Sequence, residues 1–252
     1  MATDWLALCI GNSRYHWGWF QGNILIETQD TGHLGAEGQR GRGAEDGALK
    51  AAIPWKEIPD TTPIYLASVV PEQTNIWLNY PNLSQIKLED IPIFGIYPTM
   101  GIDRALAIFG ASKVYGAPVL VIDAGTALTF TGVNAELELV GGAILPGLNL
   151  QFECLSKNTA ALPQGTIPTT LPPRWATDTS QAIQSGIIYT ILAGIKDFIE
   201  DWQAEFESSK VVITGGNSSI IYQLYSQTSP IQTNLLTDSQ LVFWGFKNLL
   251  IF

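Results

Sequence analysis

The residues best suited to chemistry in this chain stand at short breaks between apolar runs. In LALCIGNSRYHWGWF the run stops at Gly11-Asn12-Ser13 and resumes at once. Backbone amides and a hydroxyl at such a break make either a hairpin turn or a cradle for a phosphate. In VIDAGTALTF, Asp123 ends a strand-like run and Ala124-Gly125-Thr126 turns the chain. A carboxylate beside a glycine that lets the backbone come close suits a cation and a phosphate together; the same residues also suit an Asx turn. In YPTMGIDRALAIFGA, Asp103 and Arg104 fall at the start of an expected helix. There a carboxylate either complements the helix dipole or takes a proton from a hydroxyl while Arg104 forks onto a carboxylate or phosphate. ITGGNSS repeats the pattern of strand, small residues and helix, as a loop against a nucleotide or as a plain strand-to-helix turn.

The elements that must hold these residues alternate in type. Trp5 to Ile10, Arg14 to Phe20 and Asn23 to Thr28 read as antiparallel strands joined by tight turns. Thr31 to Gly47, rich in glycine and charge and without apolar period, reads as a surface loop. PIYLASVV follows as a buried strand, PEQTNIWLNY as a short helix and IDRALAIFGASKVYG as a longer one stopped at Gly116. PVLVIDAGTALTFTGV then repeats the opening layout, ELELVGGAILPG carries strands into a helix, and Thr179 to Glu205 forms the longest helix. Lys210 to Thr214 is a further strand, with a helix after Gly215-Gly216, and LVFWGFKNLLIF is a docked last helix. Two halves on one plan imply an α/β chain of two related domains, 1–110 and 111–252, divided near the helix from Arg104 to Tyr115.

Composition narrows the partners. In 252 residues the hydrophobic share is 46%, the charged share 14% and the formal net charge −10 with 13 Lys+Arg. A chain this acidic repels a polyphosphate backbone, so nucleic acid is not the expected partner, and the eight tryptophans read as core or interface. An anionic substrate must be met by a few chosen groups, and Arg104 is the cation to watch. Cys9 and Cys154 lack metal-ligand spacing, which points to a reduced, cytoplasmic protein. The acidic start at Asp4 makes a poor signal peptide, and no apolar run approaches the roughly 18 residues of a membrane span. His16 falls in a strand and His33 in the loop, neither with a partner legible in the sequence.

Taken in order, these segments resemble the type III pantothenate kinase family over nearly the whole chain. The resemblance rests on Gly11-Asn12-Ser13, Gly101-Ile102-Asp103-Arg104, Asp123-Ala124-Gly125-Thr126-Ala127 and Gly141-Gly142-Ala143-Ile144-Leu145-Pro146-Gly147. Thr179 ahead of Ala182-Ile183-Gln184-Ser185-Gly186, and Thr214-Gly215-Gly216, complete it. It implies two duplicated actin-like or sugar-kinase (ribonuclease H-like) α/β domains with an interdomain cleft. It also implies a homodimer that phosphorylates pantothenate to 4'-phosphopantothenate with ATP, the first step toward coenzyme A, using Mg2+ and a monovalent cation, K+ or NH4+.

On this resemblance Asp103 is the proton acceptor, and Tyr97, Gly101, Ile102, Asp103, Arg104 and Thr179 contact pantothenate. Asp123 holds the monovalent cation. Cys9, Ile10, Gly11, Asn12, Ser13, Arg14, Tyr15 and His16, with Thr126, surround ATP, so that Gly-Asn-Ser is the first of two phosphate turns. As a helix first-turn carboxylate, Asp103 is expected to stay ionised. The family's usual pattern at the first turn is Asp, one residue, Gly-Asn-Thr, and a Lys three residues beyond the Thr; Cys9, Ser13 and His16 stand there instead. Cys9 either withdraws a carboxylate that would help organise a divalent ion or lies as a buried apolar residue beneath a turn working through backbone amides. His16 is a weaker phosphate partner than Lys at neutral pH. Two other functions stand beside the kinase: a catalytically silent nucleotide-binding regulatory relative, which Cys9 favours, and a kinase of another small hydroxy compound, against which Tyr97, Asp103 and Thr179 weigh.

Overall fold

The computed structural model describes residues 3–35, 46–59, 61–228 and 235–250. They fall into two compact units, one drawn from 1–110 and 242–252, the other from 111–241. The first unit holds a five-stranded sheet in the order β3-β2-β1-β4-β5. Its strands are β1 (Asp4–Ile10), β2 (Tyr15–Gln21), β3 (Ile24–Thr31), β4 (Ile64–Ser68) and β5 (Leu83–Gln85). β1 to β3 form antiparallel hairpins, and β4 then pairs parallel to β1 after a crossover. Caught between two neighbours, β1 is buried from Leu6 to Ile10. β3, on the sheet edge, keeps a mostly exposed, polar face. That is why its end is hard to see in sequence: apolar alternation stops near Thr28, while backbone pairing continues to Thr31.

Helices α1 (Asp46–Ala52), α2 (Pro71–Trp77) and α3 (Ile102–Tyr115) accompany this sheet. The core gathers Leu6, Leu8, Ile10, Trp17, Leu66 and Trp77. Of the stretch Thr31 to Gly47, residues 36–45 lie outside the described residues, and α1 begins within its end.

The second unit repeats the plan with β6 (Val119–Ala124), β7 (Ala127–Val133), β8 (Leu139–Pro146), β9 (Lys210–Thr214) and β10 (Leu235–Thr237). Read from its hairpin edge, the order β8-β7-β6-β9-β10 matches the first sheet strand for strand. Here too the first three strands are antiparallel, and the fourth pairs parallel to the first. Helices α4 (Leu148–Asn158), α5 (Thr179–Glu205) and α6 (Ser218–Thr228) complete it.

α5 is long and apolar enough, by length and composition, to cross a membrane, unlike the expectation from sequence. Its Ile187, Ile191, Ile195 and Ile199, spaced one turn apart, instead line the core with Phe130 and Val211. The last helix, α7 (Leu241–Leu250), lies mostly in the first unit, whereas division by sequence order keeps it with the second. Glycines make the fit: a Cβ on Gly18 would come 2.7 Å from Phe243, and one on Gly245 would come 2.3 Å from the Leu106 carbonyl.

Candidate active site

In the first unit the β1–β2 connection is a tight turn closed by the Gly11 N–H on the Arg14 carbonyl at 3.1 Å. Asn12, Ser13 and Arg14 are exposed, while the side chains of Cys9, Ile10 and Tyr15 are buried in the sheet below. Two segments distant in sequence grip this turn. His33 donates from Nε2 to the Gly11 carbonyl at 2.9 Å. From β3, Asp30 accepts from His16 Nδ1 at 2.7 Å and from Arg14 Nη1 at 3.1 Å. Burial pushes the Asp30 pKa up, but these hydrogen bonds and the charges behind them hold it below its ordinary value. The other ring nitrogen, His16 Nε2, lies 3.4 Å from where a Cβ on Gly11 would be, over the turn.

Asp103 is brought to the same end of the sheet. The Val69 N–H, just past β4, donates to the Ile10 carbonyl at 3.0 Å. A Cβ on Gly101 would sit 3.7 Å from Val69 Cγ1 and 2.5 Å from Asp103 Oδ1. Gly101 is therefore the residue that leaves room for the Asp103 carboxylate beside the turn. The Arg104 N–H donates to Asp103 Oδ1 at 2.8 Å. Burial raises the Asp103 pKa, against the lowering by this hydrogen bond and by the charges of Arg104 and His16. Desolvation thus opposes the helix-start effect that favours the ionised form of Asp103. The Arg104 guanidinium is buried and donates to the Tyr97 hydroxyl at 3.0 Å, and Tyr97 is 41% exposed. Tyr97, Gly101, Ile102, Asp103 and Arg104 accordingly form one group at the start of α3.

In the second unit three sequence motifs meet at one turn. Asp123 closes β6, and the Gly125 N–H donates to the Ala127 carbonyl at 3.0 Å. Gly147, ahead of α4, donates its N–H to the Thr126 carbonyl at 2.9 Å, and a Cβ on it would lie 2.2 Å from the Gly125 oxygen. Gly215, with φ +90°, leaves no room either: its Cβ would lie 2.3 Å from Asp123 Oδ1. The Asn217 N–H donates to the Ala124 carbonyl at 2.9 Å, bringing the start of α6 to the turn. A carboxylate among closely approaching backbone suits a hard cation. Thr179 opens α5 behind the N-cap Asp178, whose side chain accepts from the Gln181 N–H. It lines an apolar groove of about 470 Å³ with Leu155, Leu162 and Gly186.

Among the described residues no group of three or more His, Cys, Asp or Glu could hold a metal ion.

A sequence profile described as type III pantothenate kinase matches residues 5–201. A type III pantothenate kinase from Nostoc sp. is 45% identical, covering 98% of this chain and 94% of its own. Another from Synechocystis sp. is 41% identical, with 96% and 88% covered. The chain belongs to the type III pantothenate kinase family.

Two solved structures share this fold. A Campylobacter jejuni protein described under the Baf family of transcriptional activators superposes with TM-score 0.62 at 20% identity, covering 97% of this chain and 96% of its own. MreB 5 of Spiroplasma citri bound to AMPPNP gives 0.52 at 12%, covering 99% and 96%. Cys9, next to last in β1, is 2% exposed within a central strand. Sequence reasoning missed Asp30 and His33. Pairing His16 with the polar tail of β3 by strand alternation was the signal that could have found Asp30; nothing local announced the His33 contact.

Proposed function

We propose that this chain transfers the γ-phosphoryl group of ATP to the terminal hydroxyl of pantothenate, giving 4'-phosphopantothenate and ADP at the first step toward coenzyme A. The observation that carries this reading is the half-buried Asp103 carboxylate standing on the first turn of α3, next to the glycine turn after β1. Asp103 takes the hydroxyl proton as the pantothenate oxygen bonds to the γ-phosphorus and the bond to the β-phosphate oxygen breaks. Phosphoryl transfer asks mainly for positioning and charge compensation, and the chain's few cations make each placed one count.

The turn at Gly11 to Ser13 and the hydroxyl of Thr126 hold phosphates, while Tyr97, Gly101, Ile102, Arg104 and Thr179 hold pantothenate. Asp123 holds K+ or NH4+ through its carboxylate, against which the backbone of Gly125 and Gly215 packs closely. Mg2+ bound to the triphosphate would neutralise charge developing on the leaving oxygens. Cys9, buried and soft, is no ligand for it, so this turn works through its amides, Ser13 and the neighbouring cations.

The apolar groove along α5, with Trp175 90% exposed at the neighbouring hollow lined by Arg174, Tyr189 and Ala193, supports a homodimer, which a size measurement in solution tests. The reduced cysteines support a cytoplasmic setting.

The deciding experiment follows ADP release with ATP, magnesium and pantothenate, with and without potassium. Turnover is expected to require pantothenate and potassium, and Asp103→Asn to lower kcat at least about a hundredfold with folding intact by circular dichroism. Because burial raises its pKa, the base is lost by protonation at a higher pH than for an ordinary aspartate. The acid limb of kcat therefore lies at higher pH than an ordinary aspartate would give. Full turnover in Asp103→Asn removes the residue from this role.

A further inference from the structure

We infer that Asp30 is a positioning residue for nucleotide phosphate, holding the His16 imidazole by Nδ1 so that Nε2–H donates to a phosphate seated on the Gly11–Ser13 turn. This rests on the phosphate role proposed for that turn. The carboxylate of Asp30 only accepts, so the 2.7 Å contact requires His16 to carry its Nδ1 proton. A neutral ring held this way turns a lone pair toward the turn, which repels phosphate. A protonated ring turns an N–H there. Phosphate on one side and carboxylate on the other therefore select the imidazolium.

The charged groups that interact with His16 agree. Asp30 on β3 and Asp103 on α3 are acidic; Arg14 in the turn is basic and is itself paired with Asp30. With Arg14 and Asp30 cancelling, only a protonated His16 offsets the negative charge of Asp103 at this turn. His33 takes up the Gly11 carbonyl, so that oxygen is already engaged as an acceptor. The histidine thus supplies a cation at the turn, and the orientation of that cation comes from a strand pairing across the sheet, Asp30 opposite His16.

A simple count of charge predicts the reverse of this proposal. Removing Asp30 makes the neighbourhood more positive and should tighten ATP binding, whereas loss of a positioning partner should weaken it. The test is isothermal titration of ATP·Mg into the full-length wild type, Asp30→Asn, His16→Gln and the double variant, at pH 6 to 8.5. Expected is roughly a tenfold rise in Kd at pH 7 for either single variant, the scale of one charge-assisted hydrogen bond. The double variant should be no worse than His16→Gln. Wild-type affinity should fall as pH rises, and that dependence should flatten in His16→Gln. Asp30→Glu should recover part of the loss, a result a general folding defect does not produce.

Tighter or unchanged binding in Asp30→Asn, or additive losses in the double variant, overturns the proposal. Pantothenate-dependent ADP release by the wild type is measured alongside. If it is absent while ATP still binds, the kinase reading fails and the Kd series still decides the role of Asp30. If the wild type does not bind ATP·Mg, both fail.

Discussion

The two glycine turns occupy the same place in two sheets of identical strand order, yet they are built from different materials. The turn after β1 is open: Asn12, Ser13 and Arg14 face solvent, and side chains from β2 and β3 furnish its charge. The turn after β6 is closed by backbone, with Gly147 and Gly215 pressed so near that any side chain would overlap main-chain or Asp123 atoms. The difference teaches where each half can vary. An open site of exposed side chains leaves room to exchange one cation or hydroxyl for another. A backbone site fails as a unit when space is taken from it.

Gly147→Ala or Gly215→Ala should therefore be the most damaging single changes. A methyl 2.2 Å from the Gly125 carbonyl oxygen at Gly147, or 2.7 Å from the Ala124 backbone with a φ of +90° at Gly215, displaces the Asp123–Thr126 turn. Expected are about 2–3 kcal/mol of lost stability by urea unfolding and near-complete loss of turnover. Wild-type stability in both variants would erase the contrast between the turns.

Gly101→Ala tests the first unit in the same terms. Its Cβ meets the end of a side chain, Asp103 Oδ1 at 2.5 Å, and that carboxylate can swing away. Stability should change little, while kcat falls about ten- to a hundredfold because the base is misplaced. A loss of stability matching that of Gly147→Ala would mean that this region is as rigid as the other.

Ser13→Ala should be mildest, raising the ATP KM about three- to tenfold through one exposed hydroxyl. A larger effect there than at Gly101 would show that the open turn depends on one side chain after all.

Much of this was legible in the sequence because it is local. Apolar runs broken by Gly-Asn-Ser and Asp-Ala-Gly-Thr specify strand, turn and strand through propensity and turn chemistry alone, and the spacing of Leu106, Ile108 and Phe109 specifies α3. The repeated layout carried the plan of two matching sheets. What stayed hidden involves partners far apart in the chain. β3 runs past its last apolar residue because an edge strand is defined by backbone pairing, and that overrun carries Asp30 to His16. α5 mimics a membrane span in composition, and only its packing against the second sheet shows which face is covered.

By itself, then, the sequence determined the residue types, the turns and helix starts that present them, and the family they belong to, since these follow from steric and hydrogen-bonding preferences over a few neighbouring residues. Only the tertiary structure decided that Gly147 packs on the Gly125–Thr126 backbone and Gly215 against Asp123, that Asp30 meets His16, and that burial raises the pKa of Asp103. Those outcomes depend on sheet register and on exclusion of water, and both arise only when distant segments pack.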